Sequence, residues 1–285
     1  AISQGSLRRG SAACYLPIDH PEIEEFIEMR RPTGGDPNRK ALNLHHGVLI
    51  SDAFMRAVET DDQWALKSPK DGIVQSTISA RNLWIRLLTA RIETGEPYII
   101  FIDTVNRLIQ QHHKLAGLNV KTSNLCSEIT LPTGIDRDGK DRTAVCCLSS
   151  VNLEYFDEWK DHPMFIADLV TMLDNILEHF IDNAVHDRPC TEVSTLEEFV
   201  SYVEQSKAGF TKAAYSAYRE RAIGLGAMGF HSYLQRNSIP FEGMYASSFN
   251  NRAFKHIKEQ ANEASEFPGG LRGEAPEKDG SCRIL

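Results

Sequence analysis

Asn124-Leu125-Cys126-Ser127-Glu128-Ile129-Thr130-Leu131-Pro132-Thr133 is the stretch on which the reading of this chain turns. Taken as a strand over 124–131, it points successive side chains to opposite faces. Asn124, Cys126 and Glu128 then line one face, about 6.6–6.8 Å apart per two-residue step. Leu125, Ser127 and Ile129 face the other way. An amide, a thiol and a carboxylate border one small volume. Such a row suits chemistry at one hydroxylated carbon: the amide orients a hydroxyl, the carboxylate takes or holds its proton, and the sulfur does redox or radical work. A lone cysteine in a strand is better read as a small buried hydrophobe. The amide and the carboxylate beside Cys126 shift the balance toward a site, because burying a carboxylate to no purpose is costly.

Around this stretch the pattern alternates short apolar runs with helical segments, which predicts an α/β architecture. On the N-terminal side, a helix opens at His20-Pro21-Glu22 and runs through Met29, with Pro21 in its first turn. Gly47–Ser51 reads as a buried strand, followed by a helix that Asp52 caps. Residues 62–77 read as polar and irregular. Ala80–Glu93 is a helix with Leu83, Leu87 and Leu88 on one face, closed by Gly95. Pro97–Ile102 is apolar throughout, as in a strand covered on both faces, and 103–115 reads as helix. On the C-terminal side, the turn-rich Pro132–Gly139 leads to a strand over 143–153. Helices follow over 163–183, 196–205, 213–223 and 247–265. The glycines of Gly224-Leu225-Gly226-Ala227-Met228-Gly229 allow close backbone approach, in a pattern that follows no strand of a βαβ unit. Ser3–Ser11 is a Gly/Ser loop carrying Arg8 and Arg9, with a solvated terminus as its plainest reading.

The chain has 285 residues, 41% of them hydrophobic and 25% charged, with a net charge of −8. That is globular composition, enough for one large or two medium domains. The acidic balance argues against a nucleic-acid-coating protein, while leaving room for small phosphorylated ligands. No run reaches the roughly 18 apolar residues of a membrane span, and no secretory leader opens the chain. The six cysteines (14, 126, 146, 147, 190 and 282) form no zinc spacing. They read as reduced thiols in a cytoplasmic setting. His45–His46 are expected to precede a strand and His112–His113 to end a helix; adjacent residues do not share a helix face, no carboxylate spacing accompanies them, and no metal site is expected.

Four segments carry a family resemblance. The stretch 124–133 resembles the active-site finger loop of the ribonucleotide reductase large subunit. Ala144-Val145-Cys146-Cys147-Leu148-Ser149-Ser150-Val151-Asn152-Leu153 resembles the barrel strand that follows it. Arg221-Ala222-Ile223-Gly224-Leu225-Gly226-Ala227-Met228-Gly229-Phe230 is similar to the family's RxxGLGxMG segment. Ser3-Gln4-Gly5-Ser6-Leu7-Arg8-Arg9-Gly10 resembles its specificity loop. All four occur in family order. The resemblance implies part of a ten-stranded α/β barrel. Residues 1–265 would be an incomplete catalytic barrel domain, with 1–17 its specificity-loop remnant and first strand and 120–155 its finger loop and following strand. Residues 266–285 would be a divergent, disordered tail.

The resemblance also implies a mechanism. Cys126 would be the thiyl radical that abstracts the 3′ hydrogen of a ribonucleotide. Glu128 would act as base toward the 3′ hydroxyl, and Asn124 would hydrogen-bond the substrate hydroxyls. Cys146 would be one of two cysteines that deliver reducing equivalents and become a disulfide. Cys147, on the opposite face of the same strand, would serve packing. Ser3, Gln4, Gly5 and Arg8 would contact the substrate base or the effector-linked network. The implied substrate is a ribonucleoside diphosphate. The implied partners are a radical-generating small subunit, a thioredoxin-like or glutaredoxin-like reductant, nucleoside triphosphate effectors and a second catalytic subunit. The radical source would be a metal-containing partner subunit, or adenosylcobalamin in the alternative relative.

Much of the family pattern lies outside the 285 residues. The partner of Cys146, most of the effector-binding surface, the phosphate-binding helix, the radical-transfer tyrosines and the Cys-bearing tail are expected before or after them. Cys14 falls in an expected strand, Cys190 in a polar loop and Cys282 in the tail, none with a family role. Glu266–Gly270 is expected to interrupt the last helix. The beginning at Ala1 and the divergent end predict a truncated or split gene product, or a reading-frame shift, that works with complementary large-subunit fragments. A non-catalytic fragment that only pairs with such chains is the alternative, because an open barrel segment leaves strand edges unpaired. An unrelated α/β protein with Cys126 in its core ranks last.

Overall fold

The computed structural model describes residues 3–4, 7–185, 196–205 and 211–272, which fall into two units, 1–133 and 134–285. The first opens with a short hairpin, β1 (Ser3–Gln4) against β2 (Arg8–Arg9), in which Gln4 pairs with Arg8. The expected Gly/Ser loop is thus a paired turn in its described part. The chain then enters β3 (Ala13–Pro17) and α1 (Ile23–Glu28). The helix starts two residues after the Pro21 expected to open it, with Glu24 and Glu25 in its first turn, where negative charge suits the helix dipole.

β4 (His45–Ile50) is the central strand of the unit, and His45 and His46 lie within it. Ser51 caps the next helix, α2 (Asp52–Thr60): its Oγ accepts from the Phe54 N–H at 3.1 Å. Asp52, expected as the cap, is instead the first-turn acid. Residues expected to be irregular form a hairpin, β5 (Gln63–Lys67) against β6 (Val74–Ser79). The polar side chains of β6 are mostly exposed, so its sequence shows no apolar period. α3 (Ala80–Thr94) follows, capped by Ser79 and closed by Gly95. It buries Ala80, Leu83, Leu87 and Ala90. Leu88, one position round from Leu87, turns outward.

β7 (Tyr98–Phe101), α4 (Ile102–Leu108) and α5 (Gln111–Leu115) complete the regular elements of the unit, so the single helix expected over 103–115 is two. The strands β3, β4 and β7 form one parallel sheet in that order. Parallel neighbours need crossover connections, supplied here by the intervening helices. β4, paired on both sides, is almost wholly buried. Phe101, the last residue of β7, is 43% exposed, so the cover expected on both faces does not reach the end of the strand. Phe54, Leu66, Leu83 and Leu87 pack with Val48 and Ile50 as the core.

Residues 124–131, expected as a strand, are not one. They form an irregular loop with a turn at 125–127, and Ser127 has φ of +70°. A left-handed residue reverses the chain and breaks the strict alternation of faces.

The second unit begins with a hairpin, β8 (Gly134–Ile135) against β9 (Asp141–Arg142). β10 (Cys147–Asn152) is shorter than the strand expected over 143–153 and starts one residue after Cys146. α6 (Phe156–Trp159), α7 (Phe165–Val185), α8 (Leu196–Gln205) and α9 (Thr211–Glu220) follow. The helix expected over 213–223 ends at Glu220, because Ile223–Met228 is β11, parallel to β10. The glycine-rich segment is therefore itself a strand. Gly224 pairs with Leu148, and a Cβ on Gly224 would stand 2.3 Å from Leu148 Cδ2. Glycine there makes room for the facing side chain.

α10 (Phe230–Arg236) and α11 (Met244–Arg272) end the described chain. The backbone of α11 continues through the Glu266–Gly270 interval expected to interrupt it. On α7, Ile166, Val170, Leu173, Leu177, Ile181 and Ala184 recur at helical spacing and are buried against Phe199, Phe249, Ala253 and Ile257. Cys190, Cys282 and residues 273–285 of the expected tail lie outside the described residues.

Candidate active site on the finger

Residues 118–133 contain no helix or strand, yet the segment is tightly tied. At its base, Asn106 of α4 makes a two-way clasp: its Nδ2 donates to the Val120 carbonyl at 2.9 Å, and its Oδ1 accepts from the Val120 N–H at 2.8 Å. Thr133 N donates to the Asn119 carbonyl at 3.4 Å, which brings the two ends together. Leu118, Val120, Ile129 and Leu131 are buried, so the flanks are anchored by apolar contact. The tip differs. Cys126 and Glu128 are exposed and Asn124 is half-buried.

The tip is closed by polar contacts. Ser127 N donates to the Asn124 carbonyl at 3.3 Å, and Ile129 N donates to Asn124 Oδ1 at 3.1 Å. Ser123 Oγ donates to the Ile129 carbonyl at 2.6 Å. Asn124, expected to present its whole amide to a substrate, thus spends its oxygen on the loop. Its Nδ2 makes no hydrogen bond to a described residue and is the donor left to face a ligand.

Tyr15 of β3 reaches the tip from the sheet. Its hydroxyl donates to the Asn124 carbonyl at 2.5 Å and lies 2.9 Å from Ser127 Oγ. Burial pushes the Tyr15 phenol above its ordinary value; hydrogen bonds to Ser127 and Ser123 oppose this, and the Glu128 charge adds to it. The ring lies over Gly47, its register partner on β4. Strand alternation brings Asn124, Cys126 and Glu128 to mind, but Tyr15 and Asn106 escape sequence reasoning. Tyr15 stands in an ordinary apolar run, and Asn106 is one polar residue on a helix.

The remaining expected residues fall elsewhere. Ser3, Gln4 and Arg8 lie in the β1–β2 hairpin, with only their backbone described, and Gly5 is outside the described residues. Cys146 is in the second unit and half-buried. Its neighbour Cys147 packs against that unit's core, and burial pushes its thiol up. A half-buried thiol pushed up in this way is a poor nucleophile; Cys146, expected on the opposite face of the same strand, precedes β10 and is half-buried as well. Cys14, in β3 as expected, is exposed. Among the described residues no three His, Cys, Asp or Glu side chains gather as metal ligands, and no described helix is long and apolar enough to cross a membrane.

Several buried ion pairs serve structure instead. Glu96 accepts from the Nδ1 atoms of His45 and His46 at 2.5 and 3.1 Å and lies 3.5 Å from Arg30 Nε. Burial works to raise the Glu96 carboxyl, and these donors outweigh it, leaving it below its usual range. Arg221, which opens the RxxGLGxMG-like segment, binds Asp174 and Glu178 of α7, both at 2.7 Å. That accounts for its charge without a ligand.

Comparison with known proteins places the chain in a family. Residues 1–273 match the family model described as ribonucleotide reductase, barrel domain. A Frog virus 3 (isolate Goorha) protein is 48% identical over 280 residues, covering 98% of this chain and 45% of its own length. The ribonucleoside-diphosphate reductase large subunit of Invertebrate iridescent virus 3 is 40% identical, covering 99% of this chain and 49% of its own. Among solved structures, the Actinobacillus ureae class Id ribonucleotide reductase alpha subunit is similar, with a TM-score of 0.70 and 32% identity. That match covers 92% of this chain and 42% of the other. The chain belongs to the ribonucleotide reductase barrel-domain family. Its fold is part of that family's α/β architecture. It spans about half the length of the viral relatives it matches.

Proposed function

We propose that this chain is the segment of a ribonucleoside-diphosphate reductase catalytic subunit that carries the radical cysteine. The observation that carries this reading is the finger: a loop anchored along its flanks that holds Cys126 and Glu128 exposed at its tip beside the Asn124 amide. The names of the relatives support a ribonucleoside diphosphate as substrate.

In the reaction, a radical-generating small subunit removes one electron and a proton from the Cys126 thiol. The Cys126 sulfur takes the 3′ hydrogen atom and becomes a thiol again. Glu128 accepts the 3′ hydroxyl proton, which eases loss of the 2′ hydroxyl. That hydroxyl takes one proton from the redox thiol pair and leaves as water, and the second thiol proton ends on the 2′ carbon in its place. Cys146 and a second cysteine outside this chain supply two electrons and two protons and become a disulfide. Cys126 then returns its hydrogen atom to the 3′ carbon, and Glu128 returns its proton to the 3′ oxygen. The product is the 2′-deoxyribonucleotide, and an external dithiol restores the pair. Asn124 Nδ2 holds the substrate hydroxyl in place. Ser3, Gln4, Gly5 and Arg8 meet the substrate base or transmit the state of a bound nucleoside triphosphate. In this reading the working assembly contains complementary large-subunit portions and a second catalytic subunit.

The test is reconstitution. The chain is mixed with complementary large-subunit portions, a radical source and a dithiol, and deoxynucleotide formation is measured. Product with wild type and none with Cys126→Ser supports the reading. Equal activity of the two removes Cys126 from the radical role. No product from any complementary mixture makes the chain a non-catalytic assembly piece.

A further inference from the structure

The finger's tip has to hold its reacting atoms still without the help of regular structure. A catalytic constellation needs placement to within roughly half an ångström, and sites on loops reach this only with outside support. Asn106 supports the base, well away in sequence from Cys126. At the tip, among the described residues, the hydrogen bonds that reach 124–128 from outside the finger both come from Tyr15.

We infer that Tyr15 is a positioning residue for Cys126, acting through the two residues that bracket the turn. Its hydroxyl bonds the Asn124 carbonyl on one side of Cys126 and the Ser127 hydroxyl on the other. Ser127 is the residue with φ of +70°, a conformation that non-glycine residues adopt only when the surroundings impose it. The same Asn124 carbonyl receives the Ser127 N–H, so Tyr15 reinforces the bond that closes the turn.

The sheet in turn holds Tyr15. In register, Tyr15 on β3 faces Gly47 on β4, which faces Tyr98 on β7. A Cβ on Gly47 would stand 2.5 Å from Tyr15 Cε1 and 3.3 Å from Tyr98 Cβ. The missing side chain lets the phenol ring lie across the central strand and carry its hydroxyl to the loop. Phenylalanine would fill that space equally well, so the space explains the ring but not the hydroxyl. The hydroxyl's contacts are those on the finger. This inference rests on the proposed reaction only for its catalytic consequence; the hold on the turn is a property of the chain itself.

The experiment therefore begins on the full 285-residue chain. Hydrogen exchange is followed at Ser127, Ile129 and along β4. Tyr15→Phe is expected to raise the exchange at Ser127 and Ile129 by about five- to tenfold, the equilibrium worth of one hydrogen bond. The amides of Gly47–Ile50 should not change. Ser127→Ala should give a smaller effect, and the double variant should fall short of the product of the two, because both changes remove the same contact.

Exchange at Ser127 and Ile129 within twofold of wild type in Tyr15→Phe overturns the inference. So does equal loss of protection in β4 and in the turn, which would make Tyr15 a packing residue. In the reconstituted enzyme, Tyr15→Phe should lower kcat with little change in KM. If Cys126→Ser proves as active as wild type, the reaction assigned to the finger fails, while the exchange result still decides the role of Tyr15.

Discussion

The ring of Tyr15 occupies the volume that a side chain at position 47 would need, with Cε1 2.5 Å from where that Cβ would stand. The hydroxyl end is tethered to the finger, so the ring cannot swing aside cheaply. Gly47→Ala is therefore expected to destabilise the first unit by about 1–3 kcal/mol, the usual cost of overpacking a filled site. Chemical denaturation measures the loss. A change below about 0.5 kcal/mol would show that the ring moves freely.

Asn106 is expected to be the stability-determining residue of the finger's base. Asn106→Ala strips partners from the Val120 N–H and carbonyl in a buried segment, and an unsatisfied buried group costs about 1–3 kcal/mol. Exchange at the Val120 amide should accelerate more than exchange in β4. If the two regions respond alike, the clasp does not act locally.

In the second unit, Asp136 predicts an acid-sensitive stability. Its carboxylate accepts from Arg142 Nε at 2.8 Å, from the Tyr215 hydroxyl at 3.1 Å and from the Lys140 and Asp138 N–H groups. Burial works to raise this carboxyl, but the Arg142 and Lys140 hydrogen bonds outweigh it and hold it below the ordinary aspartate value. The folded chain thus releases the proton more readily than the unfolded one. The resulting stability is fully present above the ordinary value of 3.8 and is lost as pH falls through the lower folded value. Asp136→Asn should flatten the acid limb of a melting-temperature profile below about pH 4. Arg142→Met should cost about 3–5 kcal/mol at neutral pH, because it leaves a buried carboxylate unpaired. An unchanged acid limb in Asp136→Asn would assign the pH dependence elsewhere.

Glu128 is exposed at the tip, and no described residue pairs with its carboxylate. Glu128→Gln should leave the melting temperature within error while slowing deoxynucleotide formation about 100-fold or more, the range of a lost general base. Unchanged turnover would remove Glu128 from the base role.

The helices and the central strand were legible because their signals are local. α7 shows its buried face as a run of apolar residues at helical spacing, and β4 as a continuous apolar stretch. β11 was not legible: Gly224 and Gly226 weaken the strand pattern, and their reason is Leu148 and Ser150 on the paired strand. The finger shows the same division. Asn124, Cys126 and Glu128 stand out in the sequence, but the strand geometry first drawn for them does not hold. The turn at Ser127 is stabilised by Tyr15, 112 positions away, which no local pattern announces.

From the order of residues alone came the α/β class, the family likeness and the identity of the three polar groups at the tip. These follow from side-chain chemistry and from periodicities of two and 3.6, which act within a few residues. Folding alone decided that Asn124 spends its oxygen on the loop, that Cys126 and Glu128 are exposed, and that the tip hangs on a tyrosine hydroxyl from the sheet. Those outcomes depend on pairs of residues distant in the chain, whose contact energy exists only once β3, β4 and the finger have packed.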